Sequence, residues 1–68
     1  MILEGSKVKI KEEYHSKFSV DLERPIYVLS VYVAEFEGRG EVELYVIGND
    51  FDSYHYNLAF DYHLEIIE

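Results

Sequence analysis

Residues 26–47 read IYVLSVYVAEFEGRGEVELYVI, and this stretch decides the fold. Val, Tyr, Leu and Ile fill both halves, and these residues suit the pleated, half-buried surface of a β-strand. Gly38 and Gly40 stand at the midpoint, where a tight reversal needs a positive φ. The stretch therefore predicts one long β-hairpin that reverses at Glu37-Gly38-Arg39-Gly40.

The pairing of the two strands determines which side chains share a face. If Gly38-Arg39 is a two-residue turn, residues whose numbers sum to 77 lie opposite each other, and a four-residue loop keeps the same pairing. An aliphatic face then forms the core, and Tyr32 lies beside Tyr45 on the outer face. A three-residue loop with a bulge would shift this pairing. The predicted core-face residues are Leu29, Val31, Val33, Leu44 and Val46; the outer face carries Ser30 with Ile47, Ala34 with Glu43, and Phe36 with Glu41.

The segment before the hairpin predicts one strand and a long loop. Apolar and basic residues alternate in Lys7-Val8-Lys9-Ile10-Lys11, so Val8 and Ile10 are expected to point inward. Residues 12–25 lack clear strand periodicity and end at Pro25, which favours an irregular loop folded against the core over a helix.

The segment after the hairpin predicts a turn and two further strands. Residues 48–53 have turn composition, and residues 54–60 alternate with Tyr54, Tyr56, Leu58 and Phe60 on one side. A strand that continued to Ile67 would be too long for this chain, so a break is expected at residues 61–63 and a fifth strand at residues 64–67.

The 68-residue length predicts a single small domain with little room for a deep enzyme cleft. The chain has no cysteine, which excludes disulfides and zinc-thiolate sites. Five bases balance five acids in residues 1–24, whereas residues 25–68 hold one base, Arg39, and nine acids, so the net charge of −8 belongs to this part. Such a charge disfavours direct binding to nucleic acid or membranes and allows a basic protein partner. No apolar stretch has the length of a membrane span, which favours a cytoplasmic location.

Catalytic and metal-binding patterns are weak. The spacing of His15, His55 and His63 does not suit zinc, and His55 and His63 are expected to face solvent. Asp50 and Asp52 begin like a calcium loop, but His55 stands where such a loop has glycine. A weak calcium site at the two aspartates stays as an alternative. No nucleophile elbow or phosphate-binding glycine loop is present, so the sequence predicts no enzyme activity and no cofactor.

The order of these segments resembles that of small SH3-like barrels. The resemblance lies in an opening GSKVKI at residues 5–10, a long loop, two strands joined at residues 38–40, and a closing FDYHLEII at residues 60–67. It implies a five-stranded antiparallel barrel with a short turn before the last strand. It does not imply a proline-rich ligand, because the chain has no tryptophan and one proline. The chain is also similar in style to short proteins of phages and mobile elements.

The predicted function is protein binding through an aromatic and acidic surface. Tyrosine offers a large contact area at a low entropic cost, and neighbouring acids steer a basic partner. An alternative is an inhibitor that mimics nucleic acid and occupies the nucleic-acid-binding site of a host protein. Strand carboxylates about 6.6 Å apart, from a rise of about 3.3 Å per residue, would then replace phosphates. The candidate binding residues are Tyr32, Tyr45, Glu41, Glu43, Phe51, Tyr54 and Tyr56.

Overall fold

The computed structural model describes residues 2–51 and 57–67, and the fold is an antiparallel sheet of five strands. The strand order is β4-β3-β2-β1-β5, so the last strand lies beside the first. The same described ranges also contain two 3₁₀ helices, Glu12–Lys17 and Asp61–His63. The strands are β1 (Lys7–Ile10), β2 (Ile26–Phe36), β3 (Gly40–Gly48), β4 (Asn57–Ala59) and β5 (Leu64–Ile66).

The five antiparallel strands and the break at residues 61–63 confirm the coarse prediction. The sequence predicts an irregular loop over residues 12–25 in preference to a helix, whereas the first part of this segment is the 3₁₀ helix Glu12–Lys17, in which the amide of Tyr14 donates to the carbonyl of Lys11 at 2.9 Å. The barrel is not confirmed, because the sheet is open: β4 and β5 are its two edges, and no pairing joins them within the described residues. The second 3₁₀ helix nevertheless leads directly from the β4 edge to the β5 edge and contacts β3 and β5. A sheet bridged by so short a connection has to coil strongly.

The predicted pairing of the hairpin is wrong by one residue. Tyr32 lies opposite Leu44 and Val31 opposite Tyr45, so the paired numbers sum to 76. The cause is a three-residue loop: the amide of Arg39 donates to the carbonyl of Phe36 at 3.0 Å, and Gly38 takes a φ of +82° at the third position of this turn. A second irregularity between Val28 and Ser30 shifts the pairing once more.

This shift exchanges the faces of β3. Tyr45 and Ile47 are fully buried, whereas Leu44 and Val46, predicted to be in the core, share the other face with Tyr32. Val33, also predicted to be in the core, is 59% exposed. The prediction that Tyr45 lies beside Tyr32 on the outer face is therefore wrong.

The core lies between the coiled sheet and the loop that follows β1. Val8 and Ile10 point inward as predicted, and Val28 joins them from β2. Side chains of the long loop, including Tyr14, Phe18 and Val20, pack against this core, so the loop is folded against the sheet as expected. The buried apolar residues are Ile2, Val8, Ile10, Ile26, Val28, Tyr45, Ile47, Ala59 and Leu64.

Neighbouring side chains of β4 point to opposite faces of the sheet. Ala59 is buried and Leu58 is 57% exposed. Leu58 lies opposite Val46, so it belongs to the same outer face as Tyr32. Within the described residues, no helix is long and apolar enough to cross a membrane.

Candidate interaction surfaces

The outer face of the hairpin is an apolar groove. Tyr32 and Leu58 are 56% and 57% exposed and flank the half-buried side chains of Leu44 and Val46. These residues share one face because Tyr32 is paired with Leu44, Val46 is paired with Leu58, and Leu44 and Val46 are two residues apart on β3. We call this surface the outer-face groove; it is lined by Ser30, Tyr32, Leu44, Val46 and Leu58.

The outer-face groove belongs to an uncharged face. β2 and β3 lie wholly within the described residues, and every outer-face position from Ser30 onward along β2 and along the whole of β3 lacks a charge. An antiparallel sheet with one side in water normally alternates buried apolar with exposed polar residues. Here the solvent side of the hairpin is apolar as well, whereas the outward positions of β1 are the exposed Lys7 and Lys9. The positions concerned are Ser30, Tyr32, Ala34, Phe36, Gly40, Val42, Leu44, Val46 and Gly48.

The acids of the two hairpin strands lie on the opposite face, beyond the core. Glu35 and Glu41 are directly opposite each other, and Glu43 lies opposite exposed Val33. A shallow recess beside Glu41 and Glu43 also includes Asp61 from the second 3₁₀ helix. We call Glu35, Glu41 and Glu43 the acidic strip. Like charges in directly paired positions destabilise a sheet, so this arrangement has a cost in the free protein.

Glu43 connects the acidic strip to the core through Tyr45. The Tyr45 hydroxyl donates to Glu43 Oε1 at 2.8 Å and accepts from the amide of Ile2 at 3.2 Å. Burial raises the pKa of Tyr45, and Glu43 acts in the same direction, whereas the bond from Ile2 opposes the shift. Tyr45 is therefore a structural residue that fixes the amino-terminal segment and orients one glutamate.

The predicted site is split between several places. Tyr32 lies in the outer-face groove, Glu41 and Glu43 lie in the acidic strip, and Tyr45 is buried. Phe51 is exposed and its ring lies 5.1 Å from that of Tyr27, beside Arg24 and Pro25. Tyr54 and Tyr56 lie outside the described residues. The structure therefore separates the tyrosine and glutamate components that the sequence placed together.

Of the two proposed calcium ligands, Asp50 and Asp52, Asp50 is the one that lies within the described residues. Asp50 forms an ion pair with Arg24, with Oδ1 and Nη2 2.8 Å apart. Asp52 and His55 lie outside the described residues. Among residues 2–51 and 57–67, no group of three or more His, Asp or Glu side chains is arranged to hold a metal ion.

A histidine-centred aromatic cluster is the feature that the sequence analysis missed. His63 is only 8% exposed, so the expectation that it faces solvent is wrong. Its ring lies 4.2 Å from that of Tyr62 and 4.6 Å from that of Tyr14, measured between centroids. Phe18 and Phe60 lie at 5.2 and 5.9 Å. The one sequence signal was the density of aromatic residues around position 60.

His63 also holds the last turn of the chain in place. Its Nδ1 accepts from the amide of Phe60 at 3.0 Å, while its own amide donates to the Phe60 carbonyl at 3.1 Å. The amide of Lys11 donates to the His63 carbonyl at 2.9 Å, which attaches the loop after β1. Burial lowers the pKa of His63, and Lys17 and Lys11 lower it further. The neutral imidazole is therefore the form that this packing requires.

Asparagine side chains hold the later part of the long loop, residues 19–25, by hydrogen bonds. Asn49 Oδ1 accepts from the amide of Asp21 at 2.9 Å, and its Nδ2 donates to the carbonyls of Asp21 and Pro25. Asn57 Oδ1 accepts from the amide of Ser19 at 3.3 Å. Asn49 directly follows β3 and Asn57 belongs to β4, so these hydrogen bonds attach the loop to the strands that carry the outer-face groove.

Comparison with protein-family models, with curated proteins and with solved structures finds no match to this chain.

Proposed function

We propose that this chain is a non-enzymatic protein-interaction module of the cytoplasm and that the outer-face groove is its docking surface. The observation that carries the proposal is the uncharged outer face, with Tyr32 and Leu58 each more than half exposed. An apolar sheet face has to be covered by another layer if its hydrophobic surface is to be removed from water. Exposed apolar patches of this kind mark sites of protein association.

The groove has the features of an interface centre. A tyrosine with two rotatable bonds loses little entropy on binding, and the half-buried side chains of Leu44 and Val46 give it a firm base. The acidic strip lies on the opposite face, so its charges stay in solvent when the groove is covered and do not oppose docking there. Of the two predicted components of the site, the groove is therefore the one that supplies the docking surface.

We also propose that the coiled sheet is an SH3-like barrel. The short connection from β4 to β5 and the loop side chains packed on the core support closure around one interior. This assignment concerns the scaffold and does not by itself supply a function.

A matched set of baits tests the docking surface. Tyr32→Ala with Leu58→Ala removes the exposed side chains of the groove, and Val33→Ala removes a side chain of similar exposure from the opposite face. Wild type and the Val33 variant should retain the same protein from a lysate of the source organism, and the double variant should lose it. Equal retention by all three baits would contradict the proposal. The retained protein would then be purified and titrated at low and high salt.

A second function, mimicry of nucleic acid, is favoured by the directly paired glutamates. Glu35 and Glu41 face each other, and Glu43 follows Glu41 on the same face, so carboxylates repeat along and across the hairpin. A protein that normally binds phosphates would relieve the repulsion between them. Binding by this route should weaken steeply with salt and be lost in the Glu41→Gln, Glu43→Gln double variant. Binding that is flat with salt and survives this change would remove the mimic function.

A further inference from the structure

We infer that the partner of the outer-face groove is a second copy of this chain, so that two hairpins stack through their uncharged outer faces. The inference rests on the proposed function, because it names the occupant of the same surface. It begins from the distribution of charge. The chain has a net charge of −8, yet the outer face of β2 and β3 carries none of it.

This distribution favours self-association through that face alone. Two copies of so acidic a chain repel each other in most orientations. When the outer faces meet, the acidic strips, which lie on the opposite side of each hairpin, point away from the contact. In the orientation that buries the groove, the acidic strips therefore lie on the far sides of the two hairpins.

The shape of the face suits the same arrangement. Two antiparallel sheets pack face to face about 10 Å apart, with strands inclined by about 30° and with side chains interdigitating. A two-fold axis through the contact would let each Tyr32 and Leu58 cover the lower surface formed by Leu44 and Val46 in the other copy. The exposed side chains of the groove therefore form the projections of a self-complementary surface, and its half-buried side chains form the base.

A second copy as the occupant also explains why the residues that line the groove carry no charge. A heterologous protein with an ordinary surface would bring charged side chains to this face, where the outer positions of β2 and β3 offer no group to pair with them. A partner face has to be uncharged and apolar in the same way. The outer face of this chain meets that requirement without any further assumption about another protein.

Sedimentation velocity of the purified full chain from micromolar to millimolar concentration tests the inference. Wild type should shift from monomer to dimer as its concentration rises. Tyr32→Lys and Leu58→Lys should each weaken dimerisation at least about tenfold, since each buries an unpaired charge at the contact. Val33→Lys introduces the same charge at a position of similar exposure on the opposite face and should dimerise like wild type. Because all three sites are more than half exposed, the variants should keep the fold, which the dispersion of their amide NMR spectra checks.

Two results would overturn the inference. The first is a wild-type chain that stays monomeric up to millimolar concentration. The second is a dimer whose stability is unaffected by Tyr32→Lys and Leu58→Lys. Neither result decides the proposed function, because the lysate test scores any protein that wild type retains and the Tyr32→Ala, Leu58→Ala bait loses, whether that protein is this chain or a different one. A dilution series of amide spectra provides a second readout, with shift changes expected in residues 30–34, 42–46 and 57–59.

Discussion

Tyr32 lies directly opposite Leu44, and Tyr45 lies on the other side of the sheet, where its hydroxyl donates to Glu43. Two tyrosines that look equivalent in sequence therefore have opposite roles. Tyr32 is available to a partner, and Tyr45 belongs to the core. The distinction follows from one extra residue in the hairpin loop, because a shift of one residue moves a strand's side chains to the other face.

Removal of the Tyr45 hydroxyl should destabilise the protein. In Tyr45→Phe the ring remains, but the amide of Ile2 and the carboxylate of Glu43 lose their buried partner. We expect the free energy of unfolding to fall by about 1–3 kcal/mol, the usual cost of leaving a buried donor unsatisfied. Urea denaturation measures it. Tyr32→Phe at an exposed site is the control, and an equal loss in both variants would contradict the assigned roles.

Removal of one glutamate from the opposed pair should stabilise the protein. Glu41→Gln relieves the repulsion from Glu35 across the hairpin, and we expect a gain of about 0.2–1 kcal/mol, the size of a cross-strand pair energy. The gain should shrink as salt screens the charges. Thermal or urea unfolding at two salt concentrations measures it. The control is Glu37→Gln in the turn, which removes the same charge from a residue outside the paired strands. An equally large gain in stability in this control would show that the lower net charge, and not the pairing with Glu35, is the cause.

The stability of the fold should fall at mildly acidic pH through His63. Its folded-state pKa is lowered from the ordinary 6.5, so the unfolded chain takes up the proton first as the pH falls. The stabilising contribution is therefore complete above pH 6.5 and is lost as the pH falls from 6.5 towards the folded-state value. Unfolding of wild type and His63→Gln at a series of pH values should show a smaller loss for the variant across that window. A His63 ring that titrates at or above 6.5 by NMR would contradict this.

The hydrogen bonds of Asn49 should hold the loop at residues 19–25. In Asn49→Ala the amide of Asp21 loses its acceptor and two carbonyls lose a donor. We expect a loss of about 1–2 kcal/mol, because side-chain hydrogen bonds contribute about 1 kcal/mol each and these lie at the surface. Hydrogen exchange at the Asp21 amide should become faster. The amide of Lys11, which donates to His63, should keep its protection, and a uniform acceleration at both sites would indicate global destabilisation instead.

The sequence predicted the elements better than their faces. Alternation in β1 and the glycines at positions 38 and 40 predicted the strands, and the limit on strand length predicted the break at residues 61–63. The pairing could not be predicted, because two glycines separated by one residue are compatible with loops of two, three or four residues. The composition around Leu29 also does not predict the irregularity between Val28 and Ser30.

The candidate site was predicted only in part for the same reason. Tyr32 remains on the outer face under either pairing, whereas Tyr45 and Leu44 exchange places. His63 was assigned to solvent by carrying strand alternation across residues 61–63, where the chain is a 3₁₀ helix and the alternation ends. The aromatic cluster around it depends on Tyr14 and Phe18, which lie more than forty residues away along the chain.

The pairing of β2 with β3 underlies both proposals, and NMR of the dilute protein tests it most directly. Nuclear Overhauser effects between the backbones of the two strands should connect Tyr32 with Leu44 and Val31 with Tyr45. Backbone contacts that instead pair Tyr32 with Tyr45 and Val31 with Val46 would return Tyr45 to the outer face, and would contradict the uncharged docking surface described above.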